Sequence, residues 1–194
     1  AGDYTPLNFE DVVPGDWFYD AVYYVNLKGI MTGYGKNPTS FGPYDTVKRA
    51  EFAATLYRIT GSPETEIIEK FPDVGAEDWF AESVSWAVEA GVVQGYGDTQ
   101  TFRPINSIQR QEMAVMLYRY AQYMGYDTSA KADLGSYEDA DQVFDYAREA
   151  MEWAVGSGII SGKYGETQLD PSSGTSRAEC AVMLQRFMVK YVQD

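Results

Sequence analysis

Three arginines recur at fixed spacing in the chain. Arg49, Arg110 and Arg177 lie 61 and 67 residues apart, each at a predicted helix start. A cation in the first helical turn faces the positive end of the helix dipole, so its presence in three copies needs a reason. A guanidinium beside the free N–H groups of that turn would form an anion site suited to a carboxylate. Alternatively, each arginine pairs with a carboxylate of the fold and has a structural role.

Aromatic and acidic side chains recur near these arginines. An aromatic residue precedes the first predicted helix of each copy, at Trp17, Trp79 and Tyr146. Such rings can stack on the C–H faces of a sugar, or they can pack against the start of the helix. An aspartate near the start of each copy could accept hydrogen bonds from sugar hydroxyls, pair with an arginine or cap a turn. These aspartates are Asp11, Asp73 and Asp139.

Smaller features complete the candidate site. Gly33 and Gly95 could let backbone N–H groups approach a ligand, or they could belong to turns that need a positive φ. Lys48 adds a cation beside Arg49. Asp98 lacks the run of acidic ligands that a calcium loop requires, so we expect neither a metal nor a cofactor. Three more arginines are expected to be ordinary charges near the ends of helices, where cations are favourable. They are Arg58, Arg119 and Arg186.

The composition excludes several classes of function. Histidine is absent, which removes His-based catalytic triads and His metal sites. The formal net charge of -14 disfavours binding to nucleic acid or to an anionic membrane surface. Cys180 is the single cysteine, so no intrachain disulfide can form, and its apolar surroundings predict a core thiol. No run of about 18 apolar residues, as a membrane span requires, is present.

Two sequence blocks recur three times in the same order. The first block, FEDVVPGDWFYDAVYYVNLKGIMTGYG at 9–35, returns at 71–97 and more weakly at 137–165. The second block, FGPYDTVKRAEFAATLYR at 41–58, returns at 102–119 and 169–186. Polar, variable segments at 61–70 and 122–136 separate the copies and are typical of linkers. We therefore divide the chain into three repeats, at 1–60, 61–122 and 123–194.

Each repeat predicts a helix, a Gly-rich loop and a second helix. The first helices are predicted at 19–28, 81–90 and 147–157, each followed by a glycine suited to a left-handed residue. The second helices are predicted to begin at the three arginines. Ser176 and Glu179 match a capping box in the third repeat, whereas Lys48 and Gln109 weaken that device in the other two.

The second helices are apolar nearly all round, which is typical of helices at the centre of a fold. One repeat of about 50 residues is too small to bury such a helix, but three repeats can bury three of them together. We therefore expect a mostly α fold. The predicted architecture is a single pseudo-threefold domain of three helix–loop–helix repeats around a central three-helix bundle.

These motifs indicate a family. The chain resembles three tandem S-layer-homology (SLH) domains in its F-x-D, its D-W before the first helix, its G-x-x-x-G-Y-G, its F-x-P and a motif similar to T-R-A-E. The resemblance covers nearly the whole chain and implies a three-pronged unit with grooves between repeats. It also implies binding of secondary cell-wall polymers, often through a terminal pyruvate-ketal sugar. The third repeat departs most, because Tyr146 replaces the tryptophan and Lys163 interrupts Gly-Tyr-Gly.

Three classes of function compete for this sequence. The first is a non-catalytic, extracellular anchor that binds glycan at the bacterial cell wall or S-layer through the arginine, aromatic and aspartate sets. The alternative is a protein–protein interaction module in S-layer assembly with neighbouring subunits, which the many tyrosines permit. A glycan-cleaving enzyme would need a carboxylate pair, and nothing marks one pair among the 29 acidic residues. Charge repulsion from an anionic polymer is screened beyond roughly 8–10 Å, so local arginines can decide the contact.

Overall fold

The computed structural model describes residues 6–97 and 99–192, and within them the fold is helical. The helices are α1 Tyr19–Leu27, α2 Arg49–Ile59, α3 Ala81–Glu89, α4 Arg110–Tyr123, α5 Arg148–Gly156 and α6 Arg177–Tyr191. Short 3-10 turns lie at Leu134–Ser136, Ala140–Gln142 and Asp145–Ala147. The prediction of a mostly α fold is confirmed. Asp98, the residue considered for a calcium loop, lies outside the described residues.

A glycine in the left-handed conformation follows the end of each first helix, α1, α3 and α5. The observed first and last residues of these helices differ from the predicted ones by no more than one residue. Gly29, Gly91 and Gly158 follow with φ of 71°, 74° and 79°, the left-handed region that side chains with a Cβ disfavour. Ile30 N–H then donates to the Val25 carbonyl at 2.8 Å, which turns the chain back over the helix. None of these helices, nor any other in the described chain, combines the length and apolar character that crossing a membrane requires.

The second helices begin at the three arginines, as predicted. In α6 the Ser176 hydroxyl accepts a hydrogen bond from Glu179 N–H at 3.1 Å, so the capping residue of the third repeat is confirmed. In α4 the Glu112 carboxylate reaches back to Gln109 N–H at 3.0 Å. The glutamate half of the device is therefore intact in the second repeat, contrary to the expected weakening.

The described residues form two compact units. One contains the chain up to Thr46 together with the chain from Ser176, and in it α1 packs against α6. The other is Val47–Thr175, in which α2 packs against α3 and α4 against α5. Each helix pair joins the second helix of one repeat to the first helix of the next. The central three-helix bundle would involve both units and stays a prediction, as does the division into three repeats.

Within the Val47–Thr175 unit, a ring of backbone hydrogen bonds links the three repeats. Val47 N–H donates to the Thr175 carbonyl at 2.8 Å, and Ile108 N–H donates to the Val47 carbonyl at 2.8 Å. Thr175 N–H closes the ring on the Ile108 carbonyl at 3.2 Å. All three residues are buried. Since Val47 and Ile108 each lie two residues before a second helix, the ring ties together the starts of α2 and α4.

The apolar positions of the helices form the core. Phe52, Met113 and Cys180, which align in the three repeats, are fully buried, so the prediction that Cys180 is a core thiol is confirmed. Trp86 and Trp153 are buried at the middle of α3 and α5.

Candidate functional site

The three aspartates hold a turn some thirty residues further along the chain. Each accepts hydrogen bonds of 2.8–2.9 Å from two successive backbone N–H groups, which together form a small anion-binding nest. The N–H pairs are Phe41 and Gly42 for Asp11, Phe102 and Arg103 for Asp73, and Leu169 and Asp170 for Asp139. Burial would raise the pKa of Asp11, but these N–H groups outweigh it and hold that pKa below its ordinary value. The aspartates therefore have a structural role, and contact with a ligand stays a prediction.

Each arginine inserts into a loop closed by one of these turns. Its Nε donates to the carbonyl of the first turn residue at 2.8–2.9 Å. The pairs are Arg49 with Phe102, Arg110 with Leu169, and Arg177 with Phe41. Arg110 and Arg177 also donate from Nη2 to the carbonyls of Ser161 and Thr32, at 3.0 and 2.7 Å. The aspartate and arginine motifs are thus joined through one turn, and all three arginines are buried.

The first N–H groups of the second helices are already occupied. In each helix the first two donate to carbonyls of the loop that holds the arginine, at 2.8–3.0 Å. The acceptors are Asn106 and Pro104 for α2, Ser173 and Pro171 for α4, and Asp45 and Pro43 for α6. The predicted anion site built from free N–H groups is therefore wrong at these positions. The loop after F-x-P provides the acceptors instead.

Gly33 and Gly95 are required by close packing. A Cβ on either would lie 2.8 Å from a ring carbon of the aromatic residue that opens its repeat, Phe9 or Phe71. Neither glycine has a positive φ, so the expected explanation from turn geometry is wrong. Gly95 also lines the cavity described below. Approach of a ligand to its N–H group stays a prediction.

The aromatic residues before the first helices point outward. Trp17, Trp79 and Tyr146 are 62%, 65% and 59% exposed. Trp17 and Trp79 make edge contacts with the next residue, Phe18 or Phe80, which is the one buried in the core. The helix start is therefore anchored by these neighbours, and the outer rings remain accessible for stacking on a ligand.

A cavity of about 260 Å³ lies within the Val47–Thr175 unit. The loop at 92–97 forms one wall, and α4 contributes four side chains at helical spacing i, i+3, i+4 and i+7. These four are Glu112, Val115, Met116 and Arg119. Arg49 and Tyr146 complete the lining. Three predicted site residues from three different repeats, Arg49, Gly95 and Tyr146, therefore meet in one cavity.

The charge of Arg49 is neutralised within this cavity. Its Nη1 pairs with the carboxylate of Glu112, and both side chains are buried. Glu112 also accepts hydrogen bonds from the Tyr96 hydroxyl and from Gln109 N–H. Burial and then the bond to Glu112 raise the pKa of Tyr96 to about 12, so Tyr96 remains a donor at neutral pH. Arg49 is consequently a fixed part of the wall.

Arg119 is a cavity residue that the sequence prediction missed. Because α4 continues to Tyr123, Arg119 lies within the helix and not in its last turn. Burial lowers the pKa of its guanidinium, and the neighbouring Tyr146 hydroxyl opposes that shift. A signal was present in the sequence, since an arginine follows the glutamate of each second helix by seven residues. The pairs are Glu51 and Arg58, Glu112 and Arg119, and Glu179 and Arg186.

The loop of the third repeat has different chemistry from that of the second. Lys163 aligns with Tyr96, and its ammonium group pairs with Asp170 at 3.0 Å. Asp170 in turn aligns with Arg103. In the second repeat the guanidinium carbon of Arg103 lies 3.7 Å from the centre of the Tyr96 ring. An ion pair in the third repeat thus replaces a cation–aromatic pair in the second.

Two predictions concern residues outside this cavity. Lys48 precedes α2 with an exposed side chain and does not line the cavity, so its part in binding stays a prediction. Among the described residues no group of three or more His, Cys, Asp or Glu side chains is arranged to hold a metal ion.

Comparison with known proteins places these motifs in context. A family model described as "S-layer homology domain" matches residues 8–53, 70–114 and 136–181, which is more than half of the chain. The chain is 27% identical to an amylopullulanase of Thermoanaerobacterium thermosulfurigenes over 94% of its own length and 10% of that protein's. It is 32% identical to the surface-layer 125 kDa protein of Lysinibacillus sphaericus, over 76% of the chain and 12% of that protein. A cellulosome-anchoring protein of Acetivibrio thermocellus is 30% identical over 61% of the chain and 27% of that protein. The chain therefore spans only about a tenth to a quarter of the length of these relatives.

Proposed function

The chain belongs to the S-layer homology domain family, and from that premise we propose that it holds a surface protein on a secondary cell-wall polysaccharide by binding the pyruvylated terminal sugar. It is a cell-wall anchoring module of the bacterial surface without a catalytic role of its own. Relatives that include surface-layer and cellulosome-anchoring proteins support this assignment. The partner is then the polysaccharide attached to peptidoglycan.

The observation that carries the proposal is the chemical mixture in the cavity. Two guanidinium groups, Arg49 and Arg119, and one carboxylate, Glu112, line the cavity, so the lining has an excess of positive charge. Val115 and Met116 add an apolar surface. A pyruvate ketal carries a carboxylate and a methyl group on a sugar ring. The carboxylate matches the positive charge, and the methyl group matches the apolar surface.

Tyr146 provides the third element of the match. Its ring lines the cavity and is more than half exposed, so one face is accessible to a sugar. Aromatic rings suit such wet surfaces because they offer an apolar face and a polar edge. We assign the equally exposed Trp17 and Trp79 the same stacking role for sugars bound elsewhere on the module. Arg110 and Arg177 are assigned to the frames of the corresponding loops.

The experiment is calorimetric titration of the module with a pyruvylated wall-polysaccharide fragment. The same fragment, with the ketal removed by mild acid, serves as the ligand control. Tyr146→Ala should weaken binding, whereas Tyr164→Ala should not, because Tyr164 is an exposed tyrosine that does not line the cavity. Binding of wild type to the ketal fragment alone is the expected result. Equal binding of both fragments would refute pyruvate recognition, and binding of neither would refute the proposed ligand.

A further inference from the structure

Within this cavity we propose that Arg119, and not Arg49, binds the anionic group of the ligand, while Arg49 positions the wall around it. The inference rests on the proposed function for the identity of the ligand. Of the two arginines that line the cavity, Arg119 is then the binding residue and Arg49 the positioning residue.

Arg49 is engaged by the protein through both a hydrogen bond and a buried ion pair. Its Nε donates to the Phe102 carbonyl at 2.9 Å, and its Nη1 pairs with the buried carboxylate of Glu112. The rings of Phe102 and Tyr96 lie 5.0 and 4.9 Å from its guanidinium carbon. A ligand anion that approached this group would compete with Glu112, whose own charge repels it. Arg49 is therefore poorly suited to hold a second anion.

Arg119 has the opposite character. In the described part of the chain it makes no hydrogen bond or ion pair, and its electrostatic neighbour is the hydroxyl of Tyr146. It lies one helical turn from Met116 and two turns from Glu112, on the face of α4 that lines the cavity. Arg119 as a residue is half-buried. A cation that is partly withdrawn from water and lacks a partner has hydrogen-bonding capacity left for a ligand.

The charge balance of the cavity supports the same division. The pair of Arg49 and Glu112 contributes no net charge, so the excess positive charge resides on Arg119. Its planar fork can bind both oxygens of a carboxylate at once. Tyr146 stands beside it, and the sugar that carries the carboxylate would then lie against that ring. One residue holds the anion and its neighbour holds the sugar face.

The test measures affinity and stability for the same variants. Arg119→Gln should weaken binding of the pyruvylated fragment by about ten- to a hundredfold, the loss typical of one charged hydrogen-bonding group. Its melting temperature should not fall, because no contact of the fold is lost. Arg119→Lys keeps the charge without the fork and should give an intermediate loss. The control is Lys131→Gln, which removes the charge of a lysine whose side chain is 70% exposed and should bind as wild type does.

A second measurement separates this inference from the proposed function. Acetate is titrated into the wild-type protein while the Nε–H NMR signals of Arg119 and Arg49 are followed. A saturable shift at Arg119 with none at Arg49 is expected, whether or not the pyruvylated fragment binds. If acetate shifts Arg119 but the fragment does not bind, the proposed ligand is wrong and the anion site stands. A shift at Arg49 alone, no shift at Arg119, or wild-type affinity in Arg119→Gln would overturn the inference.

Discussion

The loop of the second repeat, at 92–103, and the loop of the third repeat, at 159–170, share the same backbone hydrogen bonds. They differ in the side chains that pack beside those bonds. In both, an aspartate binds two successive N–H groups, and the carbonyl within that turn accepts the Nε of an arginine. The second-repeat loop then places Tyr96 against Arg103 beside the cavity. The third-repeat loop closes on itself through the ion pair of Lys163 and Asp170.

The difference shows that the frame and the binding chemistry are separable. The frame requires backbone donors, carbonyls and one aspartate and arginine, so it survives when the side chains around it change. In the second repeat the Tyr96 ring lines the cavity and packs against the guanidinium of Arg103. Lys163 and Asp170 satisfy each other and leave less for a ligand. A repeat can therefore keep its fold while it loses or alters its site.

The largest effect is expected when the buried pair of Arg49 and Glu112, beside the second-repeat loop, is broken. Arg49→Met leaves the buried Glu112 carboxylate without its cation and the Phe102 carbonyl without its donor. Removing one partner of a buried ion pair destabilises a protein by about 3–5 kcal/mol. Urea denaturation of the variant against wild type measures this loss in the free energy of unfolding.

The double variant Arg49→Met with Glu112→Gln is the matched control. It removes the orphaned charge and keeps an amide oxygen that can accept from Gln109 N–H, so it should recover much of the lost stability. Arg119→Met should leave stability nearly unchanged, because that arginine has no partner to orphan in the described chain. A loss below about 1 kcal/mol for Arg49→Met, the range of exposed pairs, would show that the pair is no part of the frame.

Much of the frame could be predicted from the sequence. The helix starts at Arg49, Arg110 and Arg177 and the left-handed glycines at 29, 91 and 158 follow from local rules of helix ends. Local rules also account for the capping residue Ser176. These features depend on neighbours within a few residues, so the pattern of one repeat is enough to find them.

The site could be predicted only in part, because its contacts cross from one repeat to the next. Recurrence marked Arg49 and Asp73 as important but could not distinguish a ligand contact from a role in the frame. Arg119 recurs too, but the sequence does not predict the length of α4, so its position indicates a helix end and not a helix interior. The packing reason for Gly33 and Gly95 likewise depends on rings more than twenty residues away.

A smaller effect on stability is expected from a substitution in the ring of backbone hydrogen bonds, where the third repeat has a threonine in place of an aliphatic residue. Thr175 aligns with Val47 and Ile108, yet its buried hydroxyl has no hydrogen-bond partner among residues 6–97 and 99–192. Thr175→Val has nearly the same shape and removes that unsatisfied group, so it should stabilise the protein by about 1–2 kcal/mol. Thermal and urea denaturation measure the gain. Val47→Thr is the reverse control and should lose a similar amount, whereas a destabilised Thr175→Val would reveal a partner for the hydroxyl.

The smallest effect concerns the ion pair that distinguishes the third-repeat loop. Burial would raise the pKa of Asp170, but the Ser173 hydroxyl and the Lys163 ammonium outweigh it and hold that pKa below its ordinary value. A carboxyl whose pKa is lower in the folded state contributes stability above its unfolded pKa, and this contribution is lost as the pH falls through the folded one. Asp170→Asn should therefore reduce the free energy of unfolding by about 0.5–1 kcal/mol at pH 7, the range for a partly exposed pair.

The pH dependence of that difference decides whether the ion pair is its cause. Asparagine tolerates the left-handed φ of 54° at this position, so the substitution adds no backbone strain. The difference between wild type and Asp170→Asn should shrink as the pH is lowered from 7 towards 2 and the wild-type carboxyl takes up a proton, and it should also shrink in high salt. Asp141→Asn, at an exposed aspartate, should change nothing at either pH. If the difference in the free energy of unfolding persists unchanged at pH 2, packing and not charge stabilises the third-repeat loop. The contrast with the second-repeat loop would then rest on Tyr96 alone.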